Sequence, residues 1–586
     1  MAYSMCLTVL DSVQNSKPSI LLPSKTPVSD VRKENSSHDV TIVRRSANYH
    51  PTIWHYDYIQ SLSSEYVGET FTKKVDKLKG EVTMMFHKVI VDPLEQLKLI
   101  DVLQRLGVSY HFEDEIKSTL ENIYNTHHSG DHVCKKQSLY ATALEFRLLR
   151  QHGYKVPQET FKSFTNENGD FKECLSNNTE EVLALYEASF LLIEGESILE
   201  EARHFATKNL KDYVEKSKDQ NLCAMVNHAL ELPLHWRMKR LEARWFIDVY
   251  RSREDLNPSL LEFARLDFNM VQAVHQEDLK AVSRWWKSTG LGELSFARNR
   301  VVESFFWTVG ISFEPQFGYE RRMLTRLIAL ITTIDDVYDV YGTLDELELF
   351  TDVVERWDIN AMEQLPHYMQ ICFLTLYNSI NEIAFNILKE KGFNSVRYLR
   401  TEWAGLCRCF LLEAKWYYKR YTPSLLEYFE NAWISVTGPD ILVHSYFLVA
   451  NPITKEALDL LEEYPDIIRW IALIVRLTDD LGTSTDEIKR GDNPKSIQCY
   501  MNDTGASEKD AREFIRSLIS ATWKKVNEER GASSSFSETF IEIGMNCARM
   551  SQCIYQHGDG HGIEDRETKD RVLALFVHPI PIPAED

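Results

Sequence analysis

Hydrophobic residues recur at helical spacing from about residue 80 to the end of the chain, and strand-like alternation is scarce. A clear example lies between residues 92 and 112, where apolar side chains follow one another at steps of three: Leu94, Leu97, Ile100, Leu103 and Leu106. This spacing places them along one face of an α-helix. Similar stripes run through residues 180–193 and 400–418. The pattern predicts an all-α protein.

Short polar stretches interrupt these stripes at 127–137, 164–170, 253–259 and 531–537. In the third stretch, Asn257-Pro258 can end one helix and open the next, because proline fits the first helical turn and disfavours helix in the residue before it. A chain of 586 residues is too long for one hydrophobic core. We therefore predict two helical domains that meet near residue 260, spanning 44–260 and 261–586.

The first 43 residues differ in composition from the rest. Eight serines fall between residues 4 and 37, with several Lys and Arg and few acidic residues before Asp30. Such a composition is typical of an organelle import segment, and ordinary N-terminal disorder is the alternative. We expect residues 1–43 to be a plastid or mitochondrial transit peptide and exclude them from the predicted fold.

A first acidic cluster closes a run that is otherwise fit for a protein core. Between its terminal glycines, the stretch 318–342 contains neither Gly nor Pro, which predicts one long helix. Steps of four, three and four place four of its residues on a single stripe: Ile328, Thr332, Asp335 and Asp339. The predicted helix face is thus apolar along one part and anionic along the next.

The third carboxylate of this cluster, Asp336, lies about 100° round the helix axis from Asp335 and is expected to be more peripheral. Carboxylates one turn apart repel each other, and a bridging divalent cation removes that cost. Mg²⁺ suits such a site, since it takes one or two protein carboxylates and completes its shell with water and phosphate oxygens. A solvated acidic helix end is the alternative for this cluster taken alone.

A second acidic cluster repeats the arrangement within residues 469–496. Asp479, Thr483 and Glu487 are spaced four apart, so a helix would stack three oxygen ligands along one side. Gly482 is expected to loosen this helix and to make the stacking approximate. Like the first cluster, it follows an apolar helical run.

Basic residues accompany both acidic clusters: Arg476 precedes Asp479, Lys495 follows Glu487, and Arg298 and Arg300 lie upstream of the first cluster. Mere ion pairs would explain them. Cations beside a metal cluster are also what a bound polyphosphate needs, and arginine binds phosphate through two parallel hydrogen bonds.

Charge and composition exclude several partners. A formal net charge of −21 argues against nucleic acid or anionic lipid as the main partner, so an anionic ligand needs a local cationic site or metal ions. No run of about 18 apolar residues stands out, and we predict no membrane span.

The ten scattered cysteines lack zinc-ligand spacing and are expected to be reduced thiols.

Four motifs in order carry a resemblance to a known family. Residues 335–339 (DDVYD) resemble the aspartate-rich motif of class I terpene synthases, and residues 479–487 (DDLGTSTDE) resemble their second metal motif. Residues 298–300 resemble the family's Arg-x-Arg element, although many members carry Asp where this chain has Asn299. Residues 44–54 (RRSANYHPTIW) resemble the Arg-Arg-x8-Trp tandem typical of plastidial monoterpene synthases of flowering plants. The resemblance spans the chain from about residue 44 to its C-terminus.

The resemblance implies a relict N-terminal helical domain, a C-terminal catalytic bundle and a small prenyl diphosphate substrate that binds with three Mg²⁺ ions, or with Mn²⁺. Asp335 and Asp339 would bind two of the ions. The implied metal ligands are Asp335, Asp336, Asp339, Asp479, Thr483 and Glu487. The groups implied to hold the diphosphate, directly or through the ions, are Arg298, Arg300, Arg476 and Lys495 with Asp335, Asp339 and Asp479. The implied lid strap contains Arg44, Arg45 and Trp54.

The chemistry implied by the resemblance begins with ionisation, since no Asp-x-Asp-Asp motif for protonation-initiated cyclisation occurs in the chain. Trp307 is expected to stabilise a carbocation through its ring face. Residues 555–562 (YQHGDGHG) resemble the family's lid loop. Within it Tyr555, Asp559 or His561 would orient water or accept a proton, and the released diphosphate is an alternative base.

The sequence therefore predicts a plastid-stromal monoterpene synthase, monomeric, with no nucleic-acid partner and no stable membrane insertion. It would convert geranyl diphosphate into several products, chiefly cyclic ones such as α-terpineol, because an Arg-Arg strap fits isomerisation of the substrate before ring closure. The alternatives are a sesquiterpene synthase that uses farnesyl diphosphate, and an acyclic linalool, ocimene or myrcene synthase. An isoprene synthase and a helical prenyl-diphosphate-binding protein without turnover are further alternatives.

Overall fold

The computed structural model describes residues 2–16, 44–89, 92–128, 138–532, 534–563 and 566–582. These residues form helices and turns and no strand, and their one isolated bridge joins Thr165 to Phe171. The all-α prediction is confirmed. Residues 17–43 of the predicted transit peptide lie outside the described residues.

The first part of the chain contributes ten α-helices. They are α1 (Ala2–Asn15), α2 (Tyr56–Ser61), α3 (Glu69–Lys88), α4 (Pro93–Arg105), α5 (Glu113–His128), α6 (Leu139–Gln151), α7 (Thr179–Ser189), α8 (Ser197–Lys216), α9 (Gln220–Glu231) and α10 (Lys239–Tyr250). Short 3₁₀ turns connect several of them, at Ser109–His111, Gln158–Phe164, Glu173–Asn177 and Leu234–Trp236.

The later part of the chain contributes the remaining α-helices of the described residues. They are α11 (Pro258–Thr289), α12 (Val301–Ile311), α13 (Gly318–Asp336), α14 (Leu344–Arg356), α15 (His367–Lys391), α16 (Val396–Lys419), α17 (Leu425–Ser435), α18 (Gly438–Val449), α19 (Lys455–Glu463), α20 (Asp466–Arg490), α21 (Ser496–Thr504), α22 (Glu508–Arg530), α23 (Glu538–Ile554) and α24 (Arg566–Phe576). Short 3₁₀ turns lie at Leu291–Glu293, Pro315–Phe317 and Ile359–Gln364.

The helix α11 begins where the Asn-Pro pair predicts a helix start. The side chain of Asn257 accepts a hydrogen bond from the backbone N–H of Leu260 at 3.2 Å, and Pro258 occupies the first helical position. An N-cap of this kind satisfies one of the backbone donors that a helix start leaves unpaired. The division of the chain into two domains near residue 260 stays a prediction.

The predicted single helix over 318–342 changes type before its end. The α-helical pattern stops at Asp336, and Val337–Tyr341 form a π-helical turn that Gly342 closes by donating its N–H to the carbonyl of Val337 at 2.8 Å. A wider turn inserts one extra residue, so α-helical spacing no longer relates Asp339 to the residues before it. The prediction of one uninterrupted α-helix is wrong at this point.

Helix α20 runs without a break through Gly482, which sequence reasoning expected to loosen it. A Cβ atom at this position would lie 3.0 Å from the carbonyl oxygen of Gly558 and 3.0 Å from the Cβ of Tyr555. The glycine therefore serves close packing of the 555–562 loop against α20. Its role is contact between segments, and the three predicted oxygen ligands, Asp479, Thr483 and Glu487, remain on one helix.

The first helix, α1, packs on the later part of the molecule. We predicted that residues 1–43 take no part in the fold, and for residues 2–16 the structure differs from this prediction. Val9, Leu10 and Val13 of α1 are buried, and the helix contacts α17, α20 and α22. Residues 2–16 are therefore part of the packed structure.

Two further expectations concern cysteines and membranes. The nine described cysteines are free, and Cys134 lies outside the described residues.

By length and composition, one helix of the described part, α15, could cross a membrane, but half of its most apolar window is buried inside the protein, as in a core helix.

A buried carboxylate in α16 makes stability depend on pH. Glu402 is 8 % exposed and accepts a hydrogen bond from the hydroxyl of Tyr464 at 2.6 Å. Burial raises the pKa of Glu402 to about 7, and the hydrogen bond from Tyr464 only partly offsets this. The folded protein therefore keeps a proton that the unfolded chain releases above the ordinary glutamate pKa of about 4.3.

We predict that Glu402→Gln removes this pH dependence. As pH rises from about 4.5 to about 7, the wild-type free energy of unfolding should lose roughly 3 kcal/mol relative to the variant. The amide oxygen of the variant side chain can still accept the Tyr464 hydrogen bond. Thermal unfolding at pH 5 and pH 8, followed by circular dichroism, measures the change. The exposed substitution Glu513→Gln is the control, and an equal gap between variant and wild type at both pH values would contradict the prediction.

Candidate active site

A single cavity collects most of the predicted site residues. It encloses about 940 Å³, its open mouth included, and α12, α13, α16, α18, α20 and α23 contribute to its walls. The predicted residues that line it are Arg298, Trp307, Asp335, Asp339, Arg476, Asp479, Thr483, Glu487, Lys495, Tyr555, Asp559 and His561. The two acidic clusters thus share one opening.

The rest of the lining is largely apolar. Ile328 and Thr332 line the cavity with Asp335, as the predicted stripe requires. Further apolar lining comes from Ile331, Phe410, Ile441 and Val475. A cavity with clustered charges and an apolar remainder fits an amphipathic small molecule with an anionic head.

In the first acidic wall, one arginine is held by two consecutive aspartates. Arg298 donates to Asp335 at 2.7 Å, and its backbone N–H donates to Asp336 at 2.7 Å. Asp336 is fully buried, lies 2.9 Å from the Arg298 guanidinium and does not line the cavity. Its predicted part in metal binding therefore has no support from its position, and its contacts instead fix Arg298.

The second acidic wall repeats this arrangement. Arg476 pairs with Asp479 and lies 2.6 Å from Asp480. Asp480 is fully buried and accepts hydrogen bonds from the Tyr428 hydroxyl at 3.0 Å and from the backbone N–H of Ser496 at 3.1 Å. In each wall the first aspartate faces the cavity and the second anchors an arginine.

Two carboxylates are crowded at the first wall. Burial raises the pKa of Asp339 well above its usual range, and repulsion from Asp335 raises it further, while the positive charge of Lys495 only partly lowers it. Crowded carboxylate oxygens are what a hard divalent cation binds, because the ion removes the repulsion between them. The donor set at this wall fits Mg²⁺.

The second wall is preorganised by its own hydrogen bonds. Thr483 lies 2.9 Å from the carbonyl of Asp479 and 3.1 Å from the carboxylate of Glu487. Burial favours a raised pKa for Glu487, but Lys495 and Arg476 outweigh it, so the pKa is lowered and the group is ionised. These three residues form an oxygen donor set of the type that binds Mg²⁺.

The two donor sets stand on separate walls. Within the described ranges, no three His, Cys, Asp or Glu side chains lie close enough to form a ready metal cage. This division suits ions that bridge protein and ligand, since Mg²⁺ needs only one or two protein carboxylates and takes its other oxygens from water and phosphate.

Arg300 does not line the cavity. Its buried guanidinium donates to the carbonyl of Gly562 at 3.0 Å and to that of His50 at 3.3 Å. It therefore joins the lid loop to the N-terminal strap. The diphosphate-binding role predicted for Arg300 has no support from this position.

The Arg-Arg strap attaches beside the first acidic wall. Arg44 forms two hydrogen bonds to Glu346, both at 2.8 Å. Arg45 donates to the backbone carbonyl of Asp339 at 2.6 Å and to Asp492 at 2.9 Å. Through Arg45, the strap contacts the π-helical turn that carries Asp339. Arg44 and Arg45 do not line the main cavity.

Trp54 anchors the other end of the strap. It is buried, and its indole N–H donates to Glu303 of α12 at 3.0 Å. A buried indole usually needs such a partner. Both ends of the strap are therefore held by hydrogen bonds, Arg44 to Glu346 and Trp54 to Glu303.

The lid loop places an imidazole in the cavity. His561 Nε2 lies 3.1 Å from the Thr332 hydroxyl, which donates its own proton to the carbonyl of Ile328 at 2.9 Å. The hydrogen-bond network therefore assigns the His561 proton to Nε2 and leaves Nδ1, which is buried and unbonded within the described structure, as a free acceptor. Burial lowers the pKa of His561 to about 3, so the ring is neutral.

The other two polar groups of the loop behave differently. The carboxylate of Asp559 accepts the backbone N–H of Gly562 at 2.6 Å, which stabilises the turn. Tyr555 packs edge-on against Trp307 with ring centroids 6.2 Å apart. Burial raises the pKa of both Asp559 and Tyr555.

Sequence reasoning missed several lining residues. Arg490 lines the cavity, and so do residues 435–438, which span the break between α17 and α18. Gly438 permits this approach, because a Cβ there would lie 2.8 Å from that of Ala472. The Gly438-Pro439 pair inside an apolar run was the available signal for the break.

Comparison with known families agrees with this geometry. Residues 53–230 match the model of the terpene synthase N-terminal domain. Residues 287–525 match the model of the terpene synthase family's metal binding domain. The two matches cover more than half of the chain.

Curated relatives are similar along nearly the whole chain. A chloroplastic myrcene synthase from Quercus ilex is 65 % identical over 97 % of this chain and 96 % of its own. A (−)-α-terpineol synthase from Vitis vinifera is 62 % identical over 99 % of both.

Solved structures give the same result. A limonene synthase crystallised with 2-fluorolinalyl diphosphate superposes with a TM-score of 0.90 at 47 % identity, covering 92 % of this chain and 100 % of that one. An isoprene synthase from Populus x canescens, in complex with three Mg²⁺ ions and dimethylallyl-S-thiolodiphosphate, superposes with a TM-score of 0.83 at 48 % identity over 91 % of this chain and all of that one. The resemblance found in the motifs is confirmed: the chain is an enzyme of the terpene synthase family, with its helical N-terminal and metal-binding domains.

Proposed function

We propose that this enzyme is a plastid monoterpene synthase that converts geranyl diphosphate into several monoterpenes, cyclic products such as α-terpineol among them, and releases diphosphate. The observation that carries the proposal is the meeting of two acidic walls across one cavity whose remaining lining is apolar. Of the two curated relatives, one is named for an acyclic monoterpene product and the other for a cyclic one. Both names support a ten-carbon substrate, and we expect the shape of the cavity to determine which product forms.

At the charged end, Arg298, Arg476 and Lys495 line the cavity and can neutralise a diphosphate. Asp335 and Asp339 on one side, with Asp479, Thr483 and Glu487 on the other, would hold three Mg²⁺ ions, with Mn²⁺ as a substitute. The ions would supply Lewis-acid stabilisation of the charge that develops on the leaving diphosphate. Because Asp336 and Asp480 fix the two arginines beforehand, little reorganisation accompanies ionisation.

At the hydrocarbon end, the chain's own residues protect a carbocation. The apolar lining excludes water, which would otherwise quench the cation early. Trp307 lies on this lining and can stabilise positive charge through its ring face. The strap would close the cavity mouth while geranyl diphosphate isomerises to a tertiary diphosphate, a step that ring closure requires.

The reaction ends by proton loss or by capture of water, and we assign this step to His561. Its Nδ1 atom has a free lone pair within the lining, and Thr332 fixes the orientation of the ring. Asp559 is already used by the turn, and Tyr555 would have to ionise against a raised pKa. An oriented neutral imidazole meets the geometric requirement for a general base.

The N-terminal composition and the chloroplastic relative from Quercus ilex support a plastid location, for which we propose the stroma. We further propose that the enzyme acts as a monomer.

We predict that Asp335→Ala abolishes turnover while the fold is retained, because this substitution removes a cavity-facing ligand of the first wall. The loss should be roughly a hundredfold or more, the scale of removing one preorganised electrostatic contact. Turnover of geranyl diphosphate with Mg²⁺, measured by gas chromatography, gives the result, and circular dichroism reports the fold.

Asp352→Ala is the matched control, since Asp352 is an exposed carboxylate on the neighbouring α14. Its turnover should equal that of wild type. Normal activity of Asp335→Ala would show that the metal assignment is wrong.

We predict a preference of at least about tenfold in kcat/KM for geranyl over farnesyl diphosphate, which corresponds to roughly 1.4 kcal/mol of discrimination. Chiral gas chromatography of the volatile products should show several monoterpenes, with cyclic compounds among them. Equal turnover of the fifteen-carbon substrate would contradict the monoterpene assignment.

We predict that His561→Leu, which removes the proton acceptor, changes the product ratio and lowers kcat by roughly a hundredfold. Thr332→Val is the matched variant, because it removes only the group that orients the ring. It should change the product ratio with a smaller loss in kcat. Unchanged product ratios in both variants would assign the final proton transfer to another group, such as the released diphosphate.

A further inference from the structure

Helix α20 carries a second arginine on the face that bears the second acidic wall. The face begins at Arg476 and continues at steps of three, four, four and three to Asp479, Thr483, Glu487 and Arg490. These residues therefore follow one stripe of the helix, and all of them line the cavity. The predicted metal ligands of this wall thus lie between two arginines.

The two arginines differ in how their donors are used. Arg476 contacts both Asp479 and Asp480. Arg490 instead donates from its Nε atom to Asp492 at 3.1 Å, and within the described ranges its two terminal nitrogens have no hydrogen-bond partner. A guanidinium with both terminal nitrogens free can donate two parallel hydrogen bonds to phosphate oxygens. Arg490 therefore has donors to spare at the edge of the cavity.

The N-terminal strap holds Arg490 in place through two contacts. Asp492, which accepts its Nε–H, also accepts a hydrogen bond from Arg45 at 2.9 Å. The ring of Tyr49 lies 5.9 Å from the guanidinium of Arg490 and 4.9 Å from that of Arg298. An aromatic ring face attracts cations at these distances. One side chain of the strap thus contacts an arginine of each acidic wall.

The backbone of the strap is fixed on both sides of Tyr49. Asn48 has a φ of 51°, in the left-handed region that asparagine adopts more readily than most residues. Its backbone N–H donates to the Ser46 hydroxyl at 3.2 Å. After Tyr49, the carbonyl of His50 accepts a hydrogen bond from Arg300 at 3.3 Å. These contacts limit the directions in which the Tyr49 ring can point.

We propose that Arg490 is a further diphosphate-binding residue and that Tyr49 is a positioning residue for Arg490 and Arg298. The inference rests on the proposed function and extends the charged end of the cavity towards the strap. During isomerisation the diphosphate leaves C1 of the substrate with the bonding electron pair, and it must stay close while one of its oxygens bonds to C3. An arginine in each wall, with one ring over both, retains the anion during that step.

Binding of inorganic diphosphate in the presence of Mg²⁺ tests the role of Arg490 without turnover. Isothermal titration calorimetry measures the Kd. Arg490→Ala should raise it at least about tenfold, because one charge-assisted contact is lost. Arg490→Lys keeps the charge and loses the two parallel hydrogen bonds, so it should raise the Kd at least about threefold. A Kd of Arg490→Ala within about twofold of wild type would overturn the assignment.

Thermal unfolding without ligand separates binding from a structural role. A lower melting temperature of Arg490→Ala with an unchanged Kd would assign Arg490 to the stability of α20 alone and overturn the proposal. If Arg490→Ala does not fold, the conservative Arg490→Lys decides, and a wild-type Kd in that variant would overturn the assignment.

The neighbouring lysine provides the matched control. Lys489 is 69 % exposed, pairs with Asp486 and does not line the cavity, so Lys489→Ala should leave the Kd unchanged. Equal weakening in Lys489→Ala and Arg490→Ala would assign the effect to overall charge and overturn the proposal.

Lys495→Met is the reference, since it removes a cation that the proposed function already gives to the diphosphate. Weaker binding in this variant with unchanged binding in Arg490→Ala would overturn only the role of Arg490. Unchanged binding in both would also contradict the proposed diphosphate site.

Two variants separate the ring of Tyr49 from its hydroxyl. Tyr49→Phe keeps the ring face and should bind diphosphate within about twofold of wild type, whereas Tyr49→Leu should raise the Kd at least about threefold. Tyr58→Leu changes a 42 % exposed tyrosine of α2 and is the matched control, with an unchanged Kd. A wild-type Kd in Tyr49→Leu, or equal weakening in Tyr49→Phe and Tyr49→Leu, would overturn the positioning role.

Discussion

The site depends on a repeated unit in which two consecutive aspartates hold one arginine. Arg298 with Asp335 and Asp336 forms the unit of the first wall, and Arg476 with Asp479 and Asp480 forms that of the second. A buried guanidinium would be costly alone, and so would a buried carboxylate. Together they compensate each other, which lets the protein keep both charges at the edge of an apolar cavity with their orientation fixed.

Two further arginines extend this organisation to the parts that cover the cavity. Arg45 binds the carbonyl of Asp339 in the π-helical turn, and Arg300 binds the carbonyl of Gly562 in the lid loop. Both therefore bind backbone oxygens of segments that also line the cavity. The strap, the turn and the lid are consequently connected to the acidic walls by short, direct contacts.

Much of the fold and site could be predicted because the relevant information is local. Helical periodicity fixes the all-α class, and spacing alone brings Ile328, Thr332 and Asp335 to one lining. The positions of Asp336 and Arg300 could not be predicted, since their contacts come from residues 38 and 262 positions away in sequence. The docking of α1 was missed for the same reason: its composition indicates an import segment, whereas its partners lie more than 400 residues later.

The attachment of the strap also limits where the chain could be shortened without loss of these contacts. Arg44 and Arg45 together hold Glu346, Asp492 and the carbonyl beneath Asp339. A cut on the C-terminal side of Arg45 would therefore free the π-helical turn that carries Asp339 from its contact with the strap. A cut between residues 16 and 44 would leave the strap attached and would sever the covalent link between α1 and the rest of the chain.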